Sequence, residues 1–281
     1  MTSVAGAGTL RRDDLGWYLY GVVAAGEAPA ELGAGVSVDP AHEVELVAEG
    51  PLAGVASRVS LQEFDEGMLP ERLGDATWLE QKIRAHEQVL ERVLRGASVV
   101  PCRFCTVYRS EAELRRFLSE RREALMAALD RVRGQVEVGV KAFVDLDRFT
   151  VDQATRNEDI QELEKRVAAA EGGRAYLERR RLEQLVAAEL ERLRSVAGGE
   201  IHSRLLVAAE DGLPLPPQPA EISGRDGEML FNGAYLVTAD QSPFEQALTS
   251  VARDYRDAGI DFELTGPWPP YNFVPVELKA S

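Results

Sequence analysis

The chain has 281 residues, 45% of them hydrophobic and 28% charged, a balance that folded globular proteins carry and disordered segments do not. That length exceeds one ordinary core and suits two domains of about 140 residues each. The net charge of −15 repels phosphate backbones and anionic lipid, which sets nucleic acid and membrane aside as expected partners.

Residues 1–14 are small and polar around Arg11-Arg12-Asp13-Asp14 and read as a disordered leader, without the apolar core of a signal peptide. No apolar run approaches the ~20 residues of a membrane span, so a cytoplasmic location is expected. Aromatic and β-branched residues from Trp17 to Val23 predict a buried strand, and the glycines and Pro29 of Ala24–Gly35 predict a loop. Glu43–Ala48 and Leu52–Val59, separated by Gly50-Pro51, read as a hairpin. Thr77-Trp78-Leu79-Glu80 has the form of a capping box and predicts a helix. Leu79, Ile83, His86, Leu90 and Val93 line one face of that helix until Gly96. His86 therefore sits on the apolar stripe, and a buried, hydrogen-bonded histidine is the expectation there.

Ser98–Tyr108 reads as a strand interrupted by Pro101, which implies an edge or a bulge. Ser110 with Glu113 forms a second capping box, and the stripe Leu114, Phe117, Leu118, Leu125, Ala128, Leu129 and Val132 extends one helix toward Gly134. Val136–Val144 is a strand. Asp152–Ala170 and Arg174–Val196 follow as an αα hairpin turned by Gly172-Gly173. Its Arg179-Arg180-Arg181 run has Glu178, Glu183, Glu189 and Glu191 nearby and reads as a solvated face. Gly198-Gly199 closes the hairpin, Ile201–Ala208 reads as a strand, and Glu210–Gly227 with its four prolines reads as a long loop. Met229–Val237 is a strand, and Ser242-Pro243-Phe244-Glu245 starts a helix that ends before Gly259. Ile260, Phe262 and Leu264 alternate with polar residues in a last strand, which delivers the chain to a segment of prolines and aromatics, residues 266–281.

From residue 136 the order strand, helix, strand, strand, helix, strand is that of a ferredoxin-like βαββαβ domain. The expected fold is therefore α+β in two domains. The first, residues 15–135, is an irregular α+β layer; the second, residues 136–281, is ferredoxin-like, with helical hairpin 152–197 and C-terminal strap 266–281.

Catalytic and metal-binding signals are absent from the sequence. Cys102-Arg103-Phe104-Cys105 is a C-x-x-C in a strand-like context rather than at a helix N-terminus, so a redox dithiol is not expected. The three histidines, His42, His86 and His202, complete no four-ligand zinc pattern, so neither metal nor cofactor is expected. No phosphate-binding, dinucleotide-binding, hydrolase or metalloprotease motif occurs. The remaining enzymatic or small-molecule-binding alternative is a site near His86.

Leu264-Thr265-Gly266-Pro267-Trp268-Pro269-Pro270-Tyr271-Asn272-Phe273-Val274 closely resembles the C-terminal signature of the gas vesicle F/L protein family. Tyr18–Val23, His86-Glu87, Val100–Val107 and Ala234–Val237 are similar to blocks of the same family in the same order. One departure is Cys105, where the family usually has glycine; a need for positive φ there would strain a cysteine. The resemblance implies a non-enzymatic, gas vesicle-associated accessory protein that binds the small hydrophobic major shell protein, works with other gas vesicle accessory proteins and assists nucleation or assembly of the shell. Arg103, Phe104, Trp268, Tyr271 and Phe273 are the expected partner-binding residues, the alternative being that the strap and the Arg103-Phe104 segment are packed parts of the fold.

Overall fold

The computed structural model describes residues 15–27, 29, 32, 35–64, 67, 69–219 and 228–275. The leader 1–14, the end of the strap and part of the 210–227 loop lie outside them. By contact the chain divides into a first unit, residues 1–136 with 268–281, and a second unit, residues 137–267.

The first unit is built on β1 (Leu15–Ala24), buried at every position but its two ends. It pairs antiparallel with β3 (Leu52–Ser60), which pairs with β2 (Val44–Glu49) in the expected hairpin. β4 (Val100–Pro101) and β5 (Val107–Tyr108) both pair with β1, and the sheet order is β2-β3-β1-β4. Pro101 thus sits on an edge strand, where a missing N–H costs no ladder bond.

The pleat of β1 feeds two cores. Trp17, Leu19 and Val22 meet Leu114, Leu118, Leu125 and Leu129, which come from α3 (Glu111–Glu120) and α4 (Arg122–Arg131). Tyr18, Tyr20 and Val23 meet Val89, Leu90 and Val93 of α2 (Ala76–Leu94), which follows the short α1 (Leu69–Gly74). Between Leu19 and Gly21 the register slips by one residue, a bulge that shifts the alternation of faces. A Cβ on Gly21 would lie 2.9 Å from the Val100 carbonyl oxygen and 3.1 Å from a Leu90 methyl. Only glycine allows α2 and β4 so close to β1.

Three helix boundaries differ from the sequence reading. Asp75, not Thr77, caps α2 by accepting from the N–H groups of Thr77 and Trp78. The buried face of α2 is centred on His86 and Val93, so Trp78 and Val89 join it and Ile83 falls on the exposed rim. The expected single helix from Ser110 breaks at Arg121 (φ −100°, ψ 10°) into α3 and α4, with its apolar stripe still turned to the core, Phe117 partly buried and the rest buried.

The second unit starts with β6 (Gln135–Val144), followed by α5 (Leu146–Arg156), α6 (Glu158–Ala169) and α7 (Gly172–Leu206). Asp145 and Asn157 cap α5 and α6 through their side-chain oxygens, so helix begins where a connecting segment was expected. β7 (Asp211–Pro214) and β8 (Glu228–Thr238) form an antiparallel pair, α8 (Ser242–Tyr255) follows, and β9 (Ile260–Trp268) completes the order β7-β8-β6-β9. Gln241 rather than Ser242 precedes the first helical residue of α8.

The largest correction is Ile201–Ala208. It is not a strand: α7 runs unbroken through Gly198-Gly199 for 35 residues. Ala197, Ile201 and Leu205 bury one face at steps of four, and burying Ile and Leu side chains contributes roughly 1.5–3 kcal/mol each, against about 1 kcal/mol per helical glycine. The strand that pairs with β8 lies instead in the segment read as loop.

If the helix is continuous there, alanine should improve it. A Cβ on Gly199 meets nothing within 4 Å, and one on Gly198 meets Phe231 at an ordinary 3.9 Å. Gly198→Ala with Gly199→Ala should raise stability by about 1–2 kcal/mol in chemical unfolding. A loss of stability would show that the chain breaks at this point.

Candidate functional site

His86 lies in mid-α2 on the face turned to the sheet, and only 1% of it is exposed. Around it stand Tyr18 and Tyr20 from β1 and Phe104 from the turn between β4 and β5, with ring centroids 5.7, 5.6 and 6.0 Å away. Tyr271 reaches it from the C-terminal strap, which makes a 3₁₀ turn over Tyr271–Phe273. Residues 185 positions apart thus meet at one imidazole.

The hydrogen bonds fix the protonation of this centre. Tyr271 donates its hydroxyl proton to a Glu87 carboxylate oxygen at 3.0 Å. It must then accept from His86 Nε2–H, 3.1 Å away, which makes Nδ1 the acceptor for the Tyr18 hydroxyl at 2.9 Å. The Tyr18 oxygen in turn accepts from the Cys105 backbone N–H at 3.0 Å. Burial holds His86 down at about 4, so the imidazole is neutral at pH 7 as the chain of donors requires. Burial also raises Tyr18, Tyr271 and Glu87, with the hydrogen bond from Tyr271 opposing the shift on Glu87. Beside the centre, Lys82 reaches Glu63 at 2.7 Å and the Val38 carbonyl at 2.6 Å, while Trp78 Nε1 donates to Glu63 at 2.7 Å.

Both imidazole nitrogens are engaged and the ring is enclosed. The lone pair on Nδ1 is occupied by the Tyr18 hydroxyl, so none is free to take a substrate proton, and the geometry does not support an enzymatic site around His86. Its chemical role is to join β1, α2 and the strap.

Cys105 adopts φ 65°, the left-handed region that an L residue enters at a cost of about 1–2 kcal/mol. The Cys105 N–H is aimed at Tyr18 from this turn, and Thr106 closes the turn by donating its hydroxyl to the Arg103 carbonyl at 2.8 Å. The two thiols do not face one another: Cys102 packs in the core under α3 and α4, Cys105 against the core under α2. Burial pushes both up to about 12, far from a reactive thiolate.

The expected partner-binding residues separate into two kinds. Arg103 is exposed at the tip of its turn and Trp268 is 39% exposed. Phe104 and Tyr271 line the His86 centre, while Phe273 is buried, with Val274 in the core on the opposite face of the sheet. Residues 268–275 of the strap pack on the first unit, not on the C-terminal domain to which the sequence reading assigns the strap, because Tyr271 finds its partners on α2. Tyr18, Tyr20 and Glu87 were not singled out as site residues. Their signal was the i, i+2 pair of tyrosines on one face of a strand.

Glycine at position 105 would remove the left-handed strain and lose about 0.5–1 kcal/mol to chain entropy, together with the packing of a small thiol. Cys105→Gly is expected to match or exceed the parent stability by up to about 1 kcal/mol in urea unfolding, whereas Cys105→Val should lose more than about 1 kcal/mol. A large loss with glycine would contradict the strain.

Comparison with known proteins identifies the family. A family model described as gas vesicle synthesis protein GvpL/GvpF matches residues 16–275. The chain is 33% identical over 246 residues to gas vesicle protein L of Streptomyces sp. (strain CB03234), covering 85% of this chain and 88% of that one. It is 26% identical to gas vesicle protein F of the same strain, over 92% of this chain and 98% of the other. The crystal structure of GvpF from Anabaena sp. PCC7120 superposes with a TM-score of 0.66 at 19% identity, covering 93% of this chain and 98% of that chain, and so shares the fold. The His86 centre gathers the Tyr18, His86, Arg103 and Tyr271 blocks that carry the resemblance, and with a family match over nearly its whole length the chain belongs to the gas vesicle synthesis protein GvpL/GvpF family.

Proposed function

We propose that the chain binds the small, hydrophobic major shell protein of the gas vesicle and assists nucleation or assembly of the shell, together with other gas vesicle accessory proteins and without catalysing a reaction. The observation that carries this reading is the family match over residues 16–275. Physical chemistry supports it: a carrier with a net charge of −15 stays dispersed while it holds an aggregation-prone client. Among the described residues no helix is long and apolar enough to cross a membrane. We further assign the second unit to a ferredoxin-like variant, on its β7-β8-β6-β9 order, with α5, α6 and α7 between its first two strands.

Arg103 and Trp268 are the candidate contacts of this reading. Each flanks the His86 centre through its chain neighbours, one residue from Phe104 and three from Tyr271, and each is exposed. Tyr271 and Phe273 hold the strap in place and present little surface.

Coexpression with the major shell protein tests the function: the chain should be retained with it, and loss of the gene should abolish vesicles. Arg103→Glu with Trp268→Ala should lower retention at least about tenfold with unfolding unchanged, whereas Phe273→Ala should destabilise the fold by about 3 kcal/mol. Normal vesicles without the gene and no retention would overturn the reading; unchanged retention in the double variant would remove only these two contacts.

A further inference from the structure

The hydrogen bonds through the His86 centre run in one direction, and both ends fix it. The Cys105 backbone N–H can only donate, to Tyr18, and the ionised Glu87 carboxylate can only accept, from Tyr271. Between these ends Tyr18, His86 and Tyr271 each accept one hydrogen bond and donate one. The line has no acceptor to spare.

A proton added to His86 turns both ring nitrogens into donors. Tyr18 then faces Nδ1–H, and its own hydroxyl proton loses the acceptor that Nδ1 gave it. Among the described residues no carboxylate bonds to the ring to offset the charge: Glu87 is joined to it through Tyr271, and Glu63 is held by Lys82 and Trp78. Of the elements that meet at the ring, β1 is held by ladders to β3, β4 and β5, which also bracket the Phe104 turn, and α2 by its own helical bonds. The strap has a single 3₁₀ turn, so it gives way first.

We propose that the strap is an acid-released latch: a proton on His86 frees Tyr271 from α2 and opens the Tyr271–Phe273 turn while the sheet stays paired. Burial holds His86 at about 4 against an ordinary 6.5, so this group stabilises the closed strap fully above pH 6.5 and loses that effect as pH falls toward 4. Glu87 works the other way. Burial raises it and Glu91 adds to that, against the hydrogen bond from Tyr271, so its contribution grows as pH falls and tempers the response at the acid end. Tyr18 and Tyr20 on β1, Cys102 and Cys105 beside the turn and Tyr271 on the strap are all raised and stay uncharged across this window, and Lys82 is held by Glu63. At about pH 5, His86 alone raises the opening constant roughly 30-fold. Trp268 lies three residues before Tyr271 and Arg103 next to Phe104, so, resting on the shell-protein reading above, acid also loosens the candidate contacts.

Hydrogen exchange of the full chain, corrected for intrinsic rates, reads the latch through the Tyr271 and Phe273 amides, which bond to the Pro269 and Pro270 carbonyls. Their opening should rise at least about tenfold from about pH 7.5 to about pH 5, with β1 amides unchanged. His86→Gln, which cannot charge in this range, should abolish the rise, whereas Glu87→Gln, which removes only the opposing titration, should keep or enlarge it. In the parent protein the nitrogen NMR titration of His86 should follow the same curve as strap opening. Retention of the shell protein, measured at both pH values, reads the contacts separately: opening with full retention would support the latch and remove only its link to shell binding. Corrected exchange that does not change with pH, exposure of the Cys105 turn with the strap still protected, or an acid response kept in His86→Gln would overturn the proposal.

Discussion

The first unit depends on satisfying one buried imidazole. A histidine enclosed by Tyr18, Tyr20 and Phe104 is removed from water, and each unpaired nitrogen would cost about 1–3 kcal/mol. Tyr18 supplies a proton to one nitrogen and Tyr271 takes one from the other, so β1 and the strap are held to α2 by the same ring. The bulge at Tyr20, the glycine at 21 and the left-handed turn at Cys105 follow from this demand. The bulge and glycine bring α2 close to the sheet, and the turn brings a backbone N–H to Tyr18.

The same centre sorts the C-terminal strap into parts with different duties. Pro269, Pro270, Phe273 and Val274 are buried and Tyr271 is hydrogen bonded, so most of this aromatic run holds the fold together. Trp268 and Arg103 are the exposed residues beside it. The acidity of the chain is likewise uneven: the start of α7 opposes the sign of the rest, and it carries exposed Tyr176 and Leu177.

Local signals were legible in the sequence where one interaction decided the outcome. The hairpin around Gly50-Pro51, the buried β1, the Ser110 cap and the burial of His86 could all be read from neighbours in the chain. Errors arose where distant packing overruled a local cue. Gly198-Gly199 looks like a break, yet the buried faces of Ala197, Ile201 and Leu205 carry helix through it. The strap follows the last strand of the second unit, but its partners lie on α2, and no periodicity reveals a hydrogen bond across 185 residues. The glutamates around Arg179-Arg180-Arg181 balance its charge on paper, while two of them face other arginines in space. Positive φ at Cys105 was legible only as a condition attached to the replaced glycine.

The central claim is that His86 and Tyr271 are coupled, so that their hydrogen bond helps to hold the strap on α2. A double-mutant cycle of His86→Gln and Tyr271→Phe, followed by urea unfolding of all four proteins, measures it directly. The account predicts a coupling energy of about 1–3 kcal/mol, with each single variant costing nearly as much as the pair. Additivity within about 0.3 kcal/mol would contradict it.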